Sequence, residues 1–169
     1  MATLRTSLSR SAALLLVLLA VSSAMATAPA QAAPAYADAR DYPTPGEGWA
    51  RFRAVEAQLV RGFDYICGDT FCEGDYGNLQ ALRFRCSVAV ATGRVQACAW
   101  TFTGSFAWVD QVNGGIDVDA RTWTCPTPLA AGTSLELLLH TLEQAGDKAL
   151  HVPLPGTTVS IYDGLTDCL

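Results

Sequence analysis

Six cysteines are the residues of this chain with the clearest chemistry. An even number of cysteines in an exported chain predicts a disulfide framework. The strand register described below selects Cys86–Cys98, and we favour Cys67–Cys72 and Cys125–Cys168 among the pairings that then remain. The alternative at Cys67-x₄-Cys72 is a zinc site, but neighbouring ligand pairs are missing from the sequence and oxidation disfavours it.

The segment from Asp64 to Asn78 concentrates acids and glycines around two of these cysteines. Carboxylates are ligands that calcium prefers, which makes a calcium site at Asp69, Glu73 and Asp75 one alternative. Their spacing does not follow an EF-hand loop, so we predict no metal site. A disulfide-pinned loop that serves as a protein-recognition surface is the reading we prefer. Its candidate contact residues are Asp69, Thr70, Phe71, Glu73, Asp75 and Tyr76.

The sequence contains no pattern that predicts a catalytic set or a cofactor. A Ser–His–acid combination would have to come from Ser105, from His140 or His151, and from Asp110. The Gly-x-Ser-x-Gly elbow that would support it is missing. Cysteines that form disulfides do not act as nucleophiles. We therefore predict neither catalytic residues nor a cofactor, with a small secreted hydrolase as an alternative.

Residues 1–32 have the organisation of a secretory signal peptide. Arg5 and Arg10 give a positively charged start, and the apolar run Ala12–Val21 is shorter than a membrane span. Small residues at 24–26 and 30–32 offer cleavage sites. We predict export to the periplasm or the medium without a membrane anchor after cleavage; a retained anchor is the alternative.

The part of the chain after residue 32 is acidic. Since Arg5 and Arg10 are two of the 11 basic residues, nine remain against 16 acids, a formal charge of −7. Such a domain is a poor nucleic-acid binder and favours a cationic partner. We expect a protein partner with a basic surface and no nucleic acid, and the sequence leaves the oligomeric state open.

The central feature of the predicted fold is a hairpin around Gly93. Residues 82–90 alternate between apolar and polar side chains, the period of a half-buried strand. A loop at residues 91–93, with Gly93 left-handed, sets the register. We predict a hydrogen-bonded Cys86–Cys98 pair with Cα atoms about 5.5 Å apart. The other opposed pairs are Phe84 with Trp100 and Leu82 with Phe102.

Other periodic segments complete the predicted elements. A second hairpin joins Phe106–Val109 to Ile116–Thr124 through a turn at residues 110–115, with a bulge near residues 120–122. Apolar spacing predicts a helix at Glu47–Phe63, with Trp49, Phe52, Val55, Leu59, Val60 and Phe63 on its buried stripe. Thr133 and Glu136 fit the capping box of a second helix ending near Gly146, and Ser160 begins a third.

The sequence thus predicts an α+β fold: a twisted antiparallel sheet of at least four strands and two hairpins, one N-terminal helix, two C-terminal helices and disulfide staples. Residues 33–46 read as a disordered leader and residues 47–169 as a single domain. For function we favour an exported protein-binding module, an inhibitor or immunity-type protein acting on a cell-wall enzyme. A structural envelope protein or ligand carrier is the remaining alternative.

Overall fold

A computed structural model describes residues 35–169, and it confirms the α+β class. Four antiparallel strands form one sheet in sequence order, with a helix before the first hairpin and two helices after the second. The predicted signal peptide lies outside the described residues. The strands are β1 (Tyr36–Asp38), β2 (Gln80–Ala89), β3 (Arg94–Val109) and β4 (Ile116–Pro126). The helices are α1 (Pro45–Cys67), α2 (Leu135–Ala145) and α3 (Ile161–Thr166).

Part of the predicted leader is ordered, which corrects our expectation for residues 33–46. β1 pairs with the edge of β2, with Tyr36 opposite Ala89, and a 3-10 helix follows at Ala39–Asp41. Ala39 is completely buried. The composition of this segment predicted disorder, because composition does not show which distant residues a segment contacts. In the fold, the free edge of β2 supplies its hydrogen-bond partners.

Helix α1 is longer than predicted at both ends. Pro45 occupies its first turn, where the missing N–H of proline is harmless. Gly62 does not end the helix; it gives room for Leu150, which would lie 3.3 Å from a Cβ at this position. Trp49 leaves the predicted buried stripe, and the guanidinium of Arg40 lies 5.0 Å from its ring centroid.

The first hairpin has the predicted cysteine register. Cys86 lies opposite Cys98 and Phe84 opposite Trp100. The prediction for Leu82 was wrong: a register shift between residues 81 and 84 brings Ala81 opposite Phe102 instead. The cysteine Cα atoms are 4.0 Å apart, typical of a non-hydrogen-bonded pair and not of the hydrogen-bonded pair we expected.

The turn explains that difference. The turn contains four residues, 90–93, instead of the predicted three, and a hydrogen bond from the Gly93 N–H to the carbonyl of Ala89 closes it. Gly93 has the predicted positive φ, at +66°. A second register shift, between Ser87 and Val88, restores the cysteine pairing beyond the longer turn.

The second hairpin is more regular than predicted. Pairing continues without a shift from Val109 opposite Ile116 to Ala99 opposite Pro126, so the bulge expected near residues 120–122 is not there. Strand period therefore puts Cys125 and Asp117 on the same face and Ile116 on the other. The prediction failed because it required all apolar residues of β4 to face one core, whereas the hairpin extends past that core.

All three predicted disulfides are confirmed. Cys125 and Cys168, 43 positions apart, join β4 to the segment after α3 with Cα atoms 5.6 Å apart. Disulfides form and persist in oxidising compartments, so the bridges indicate a protein that matures outside the cytoplasm.

The two C-terminal helices begin at hydroxyl caps. Ser134, not the predicted Thr133, caps α2 by accepting a hydrogen bond from the N–H of Leu137. Thr133 instead donates its hydroxyl to the carbonyl of Ala130. Ser160 and Asp163 form a capping box at the start of α3, where a helix was predicted. Four leucines form the buried face of α2: Leu135, Leu138, Leu139 and Leu142.

Glu56 is a buried carboxylate that periodicity did not place in the core. Its side chain lies at the open edge of β2, where it accepts hydrogen bonds from the Phe84 N–H and the Arg85 guanidinium, both at 3.2 Å. Arg53 contacts its second oxygen at 3.4 Å. A charged acceptor of this kind satisfies a strand N–H that has no neighbouring strand.

We therefore expect Glu56→Gln to lower the free energy of unfolding by about 1.5–3 kcal/mol, the usual contribution of hydrogen bonds to a charged group. The matched control is Glu136→Gln, because Glu136 is a largely exposed partner of Arg51. Exposed pairs contribute at most about 1 kcal/mol. Urea denaturation with the disulfides intact measures both; equal losses would contradict the role given to Glu56.

Candidate protein-binding surface

The acidic loop and the second hairpin meet at one end of the sheet. Asn78 bonds Ser105 twice, at 2.7 and 2.8 Å, and so fastens the loop to β3. The Tyr76 hydroxyl donates a hydrogen bond to Asp119 on β4. We define the distal surface as loop residues 69–76 together with hairpin residues 105–120. These contacts make the loop and the hairpin neighbours, which the sequence did not predict.

The six candidate contact residues divide into two groups. Asp69, Glu73 and Asp75 are exposed. The other three fasten the loop, since the Thr70 hydroxyl donates to the carbonyl of Ile66 and the Phe71 ring stacks on Phe63. The third is Tyr76, which packs edge-on against Trp123. The loop is thus held by hydroxyl and aromatic contacts and presents carboxylates.

Sequence reasoning missed the apolar residues of the hairpin. Phe106 and Trp108 stack on one face with ring centroids 5.4 Å apart, and Trp108 is 44% exposed. On the opposite face Ile116 and Val118 are 67% and 61% exposed. The available signal was the change of parity in β4, because Ile116 and Val118 alternate on one face and Trp123 and Cys125 on the other, as in a hairpin that extends past the core.

Charge adds to this pattern. The distal surface holds six of the 16 acidic residues of the chain, and none of its residues is basic. Arg121, directly beyond it, is largely committed, because its guanidinium donates to Asp119 at 2.8 and 3.0 Å and lies 5.1 Å from the Tyr76 ring centroid. The surface therefore combines exposed apolar side chains with an excess of negative charge, of which Asp119 alone is paired with Arg121. Its acids are Asp69, Glu73, Asp75, Asp110, Asp117 and Asp119.

The contact between loop and hairpin is sensitive to both low and high pH, because Tyr76 and Asp119 both titrate. Desolvation, and then the hydrogen bond to Asp119, raise the pKa of Tyr76. The Tyr76 and Arg121 hydrogen bonds lower the pKa of Asp119. A raised tyrosine pKa gives stability that is lost as pH rises through the folded value; a lowered aspartate pKa gives stability that is lost as pH falls through it. The contact is thus complete between about pH 4 and 10.

We expect Asp119→Asn to lower the pKa of Tyr76 part of the way toward the ordinary tyrosine value, since a neutral amide does not oppose the phenolate. Spectrophotometric titration of tyrosinate measures the shift, and subtraction of the Tyr76→Phe titration isolates the Tyr76 transition. An unchanged Tyr76 midpoint in Asp119→Asn would mean that the hydrogen bond does not hold the phenol.

The residues of the alternative catalytic set lie on separate elements. Ser105 bonds Asn78, and Asp110 accepts the N–H of Val112 within its own turn. His140 is exposed on α2, and His151 packs on the Tyr162 ring at 4.7 Å. Among the contacts of residues 35–169, no hydrogen bond joins any two of these four side chains.

Two of the grooves that lie away from the distal surface combine charged and apolar side chains. One, of about 360 Å³, contains Arg51, whose guanidinium is held by Glu143 at 2.7 Å and by Glu136. These two ion pairs leave few of the Arg51 N–H donors free to bind a ligand. The other, of about 480 Å³, has an apolar wall that includes Ile66 and Leu150, with Arg61, Asp147 and His151 around it.

Within residues 35–169, no three His, Cys, Asp or Glu side chains are grouped so that they could hold a metal ion. Asp69, Glu73 and Asp75 therefore do not form such a group. Of the helices within residues 35–169, none is long and apolar enough to cross a membrane. Comparisons with protein-family models, curated proteins and solved structures find no match for this chain. Any proposal of function therefore depends on the geometry above.

Proposed function

We propose that this protein is an exported protein-binding module whose contact site is the distal surface. The observation that carries the proposal is the exposed apolar hairpin beside an acidic loop held by the Cys67–Cys72 bridge. Exposed apolar residues beside polar ones mark interaction sites on soluble proteins, and Phe106 and Trp108 provide them on one face of the hairpin. Trp108 is of the residue type that most often dominates binding energy at such sites.

The chemistry of the surface defines its partner. Exposed carboxylates attract a basic protein and speed its association, while the apolar side chains of the hairpin provide buried area. The disulfide and the Tyr76–Asp119 contact hold the loop before binding, so less conformational entropy is lost on association. We infer an inhibitor or immunity-type role against a basic cell-wall enzyme in the periplasm or the medium; the three bridges support this location, since disulfides persist in oxidising compartments.

The test is affinity capture from a periplasmic or secreted extract at low salt, with immobilised wild-type protein and two variants in parallel. We expect a stoichiometric basic partner on wild type, reduced at least about tenfold on Trp108→Ala, since hot-spot truncations cost about 2 kcal/mol or more. Asp69→Asn/Glu73→Gln/Asp75→Asn should slow association and weaken its salt dependence.

The matched control is Asp64→Asn, which removes an exposed acid from α1 outside the distal surface. It should capture the partner as wild type does. Equal capture by wild type and Trp108→Ala, or the absence of any stoichiometric partner, would contradict the proposal.

The second groove favours one other candidate, a carrier of small ligands. Its apolar wall beside Arg61 and His151 suits an apolar ligand with an anionic group. Native mass spectrometry of protein purified from its own compartment tests this: a co-purifying mass that is lost in Leu150→Arg supports the carrier. An unliganded mass together with partner capture supports the binding module.

A further inference from the structure

The two edges of the sheet are very different. β1, at one edge, has three residues, whereas β4, at the other, has 11. Among residues 35–169 no strand pairs with the outer side of β4. Proteins usually protect such an edge with lysines, bulges or short strands, because a long apolar edge recruits another strand. β4 has a continuous register, its charged residues Asp117, Asp119 and Arg121 all lie on one face, and it exposes Ile116 and Val118 on the other.

The main-chain direction of each β4 residue follows from the pairing with β3. Thr127 donates its N–H to Cys98, and Asp110 donates its N–H to Gly115, both at 2.9 Å. Antiparallel residues alternate in direction, so the odd-numbered residues of β4 bond β3 and the even-numbered ones face outward. Pro126, which has no N–H, ends the outward series, where proline is tolerated. The outward donors and acceptors belong to Ile116, Val118, Ala120, Thr122 and Thr124.

We propose that two copies of this protein pair antiparallel through β4, with Ala120 on the two-fold axis, and form one continuous eight-stranded sheet. This register brings Asp119 of each copy opposite Arg121 of the other, in the non-hydrogen-bonded positions where side chains are closest. A symmetric interface requires a strand that complements itself, and few strands do. Around Ala120, β4 complements itself in both charge and side-chain size.

The remaining pairs fit the same axis. Val118 lies opposite Thr122, and Ile116 opposite Thr124, on the outer face, and β-branched cross-strand pairs stabilise sheets. Ala120 meets its own copy as a hydrogen-bonded pair with reciprocal N–H to C=O bonds. All these residues except Asp119 are exposed in the single chain, so pairing needs no rearrangement of the core. The dimer pairs hairpin residues 116–120 of the distal surface, whereas the loop carboxylates and Trp108 take no part in it.

Sedimentation equilibrium of the exported, oxidised protein tests the proposal. We expect a monomer–dimer equilibrium, and a dissociation constant at least about tenfold higher in Ala120→Pro, which removes the two bonds on the axis. The ladder to β3 is kept, because the Ala120 N–H faces outward; far- and near-ultraviolet circular dichroism should therefore match wild type. Arg121→Asp should weaken the dimer, and Asp119→Arg/Arg121→Asp should restore it, since the exchange keeps the pair.

Cysteine cross-linking tests the register itself. Ala120→Cys should form a covalent dimer on mild oxidation, because hydrogen-bonded partners have Cα atoms about 5.5 Å apart, within disulfide range. Ile116→Cys is the matched control and should not, since the two copies of this residue are about 27 Å apart along the paired strands at 3.4 Å per residue. A monomer at every concentration, a dimer that Ala120→Pro leaves unchanged, or a β4 edge occupied only by a different protein would overturn the proposal.

Discussion

Replacement of Phe63 by alanine is expected to lower the free energy of unfolding by about 3–5 kcal/mol, the range for truncating a buried aromatic residue. Phe63 is fully buried on α1, and its ring lies 4.8 Å from Phe102, 5.9 Å from Trp100 and 5.8 Å from Phe71. It therefore joins the helix, the sheet and the acidic loop in one cluster. A cavity at this position would remove contacts with the helix, the sheet and the acidic loop.

Guanidinium denaturation with intact disulfides measures the effect, and the transition slope shows whether unfolding stays two-state. The matched control is Tyr65→Ala, two positions along the same helix, where the side chain is 88% exposed. Exposed substitutions usually change stability by less than about 0.5 kcal/mol. A loss below about 1 kcal/mol for Phe63→Ala would mean that the cluster does not connect the elements as described.

Removal of the long disulfide has the second large effect. Chain-entropy arguments assign about 4 kcal/mol to a bridge closing 43 positions, compared with about 2 kcal/mol for one closing five. We therefore expect Cys125→Ala/Cys168→Ala to lose about twice the free energy of unfolding of Cys67→Ala/Cys72→Ala. Cys125 is itself buried, so alanine at this position adds a small packing loss.

Thermal and denaturant unfolding of the two double variants, each with its remaining bridges confirmed by mass measurement, gives the comparison. Limited proteolysis should cut the Cys125→Ala/Cys168→Ala variant first after α3, because that bridge ties the chain end to β4. A larger loss for the short bridge would show that native contacts, and not loop length, set the contribution of these disulfides.

The correct sequence predictions concern elements whose determinants are close together in the chain. Cys86 and Cys98 flank one turn, so alternation placed them opposite each other, although the turn length and the hydrogen-bonding class of the pair were predicted incorrectly. The leucine stripe of α2 is a local period, and the capping box at Ser160 spans three positions. With the first pair assigned, three arrangements of the other four cysteines remained, and the one that was favoured is confirmed. Local pattern thus predicted the class of fold, the helices and the staples.

The errors concern positions where a distant part of the chain supplies what the local pattern lacks. The bulge predicted in β4 was wrong, because the extent of the core depends on how far α1 and the loop reach over the sheet. Glu56 is buried because the open edge of β2 needs an acceptor, which the sequence of α1 does not show. Residues 36–38 of the leader form a strand for the same reason, since β2 offers them an edge.

By itself the sequence determined that this is a disulfide-stapled α+β protein with an acidic loop, since composition, period and short-range pairing encode those properties. Only the tertiary structure decided that the loop lies against the second hairpin and that no strand within residues 35–169 pairs with the outer edge of β4. Both results depend on contacts between residues tens of positions apart. Such contacts are selected by packing of the whole chain, which no local window of residues contains.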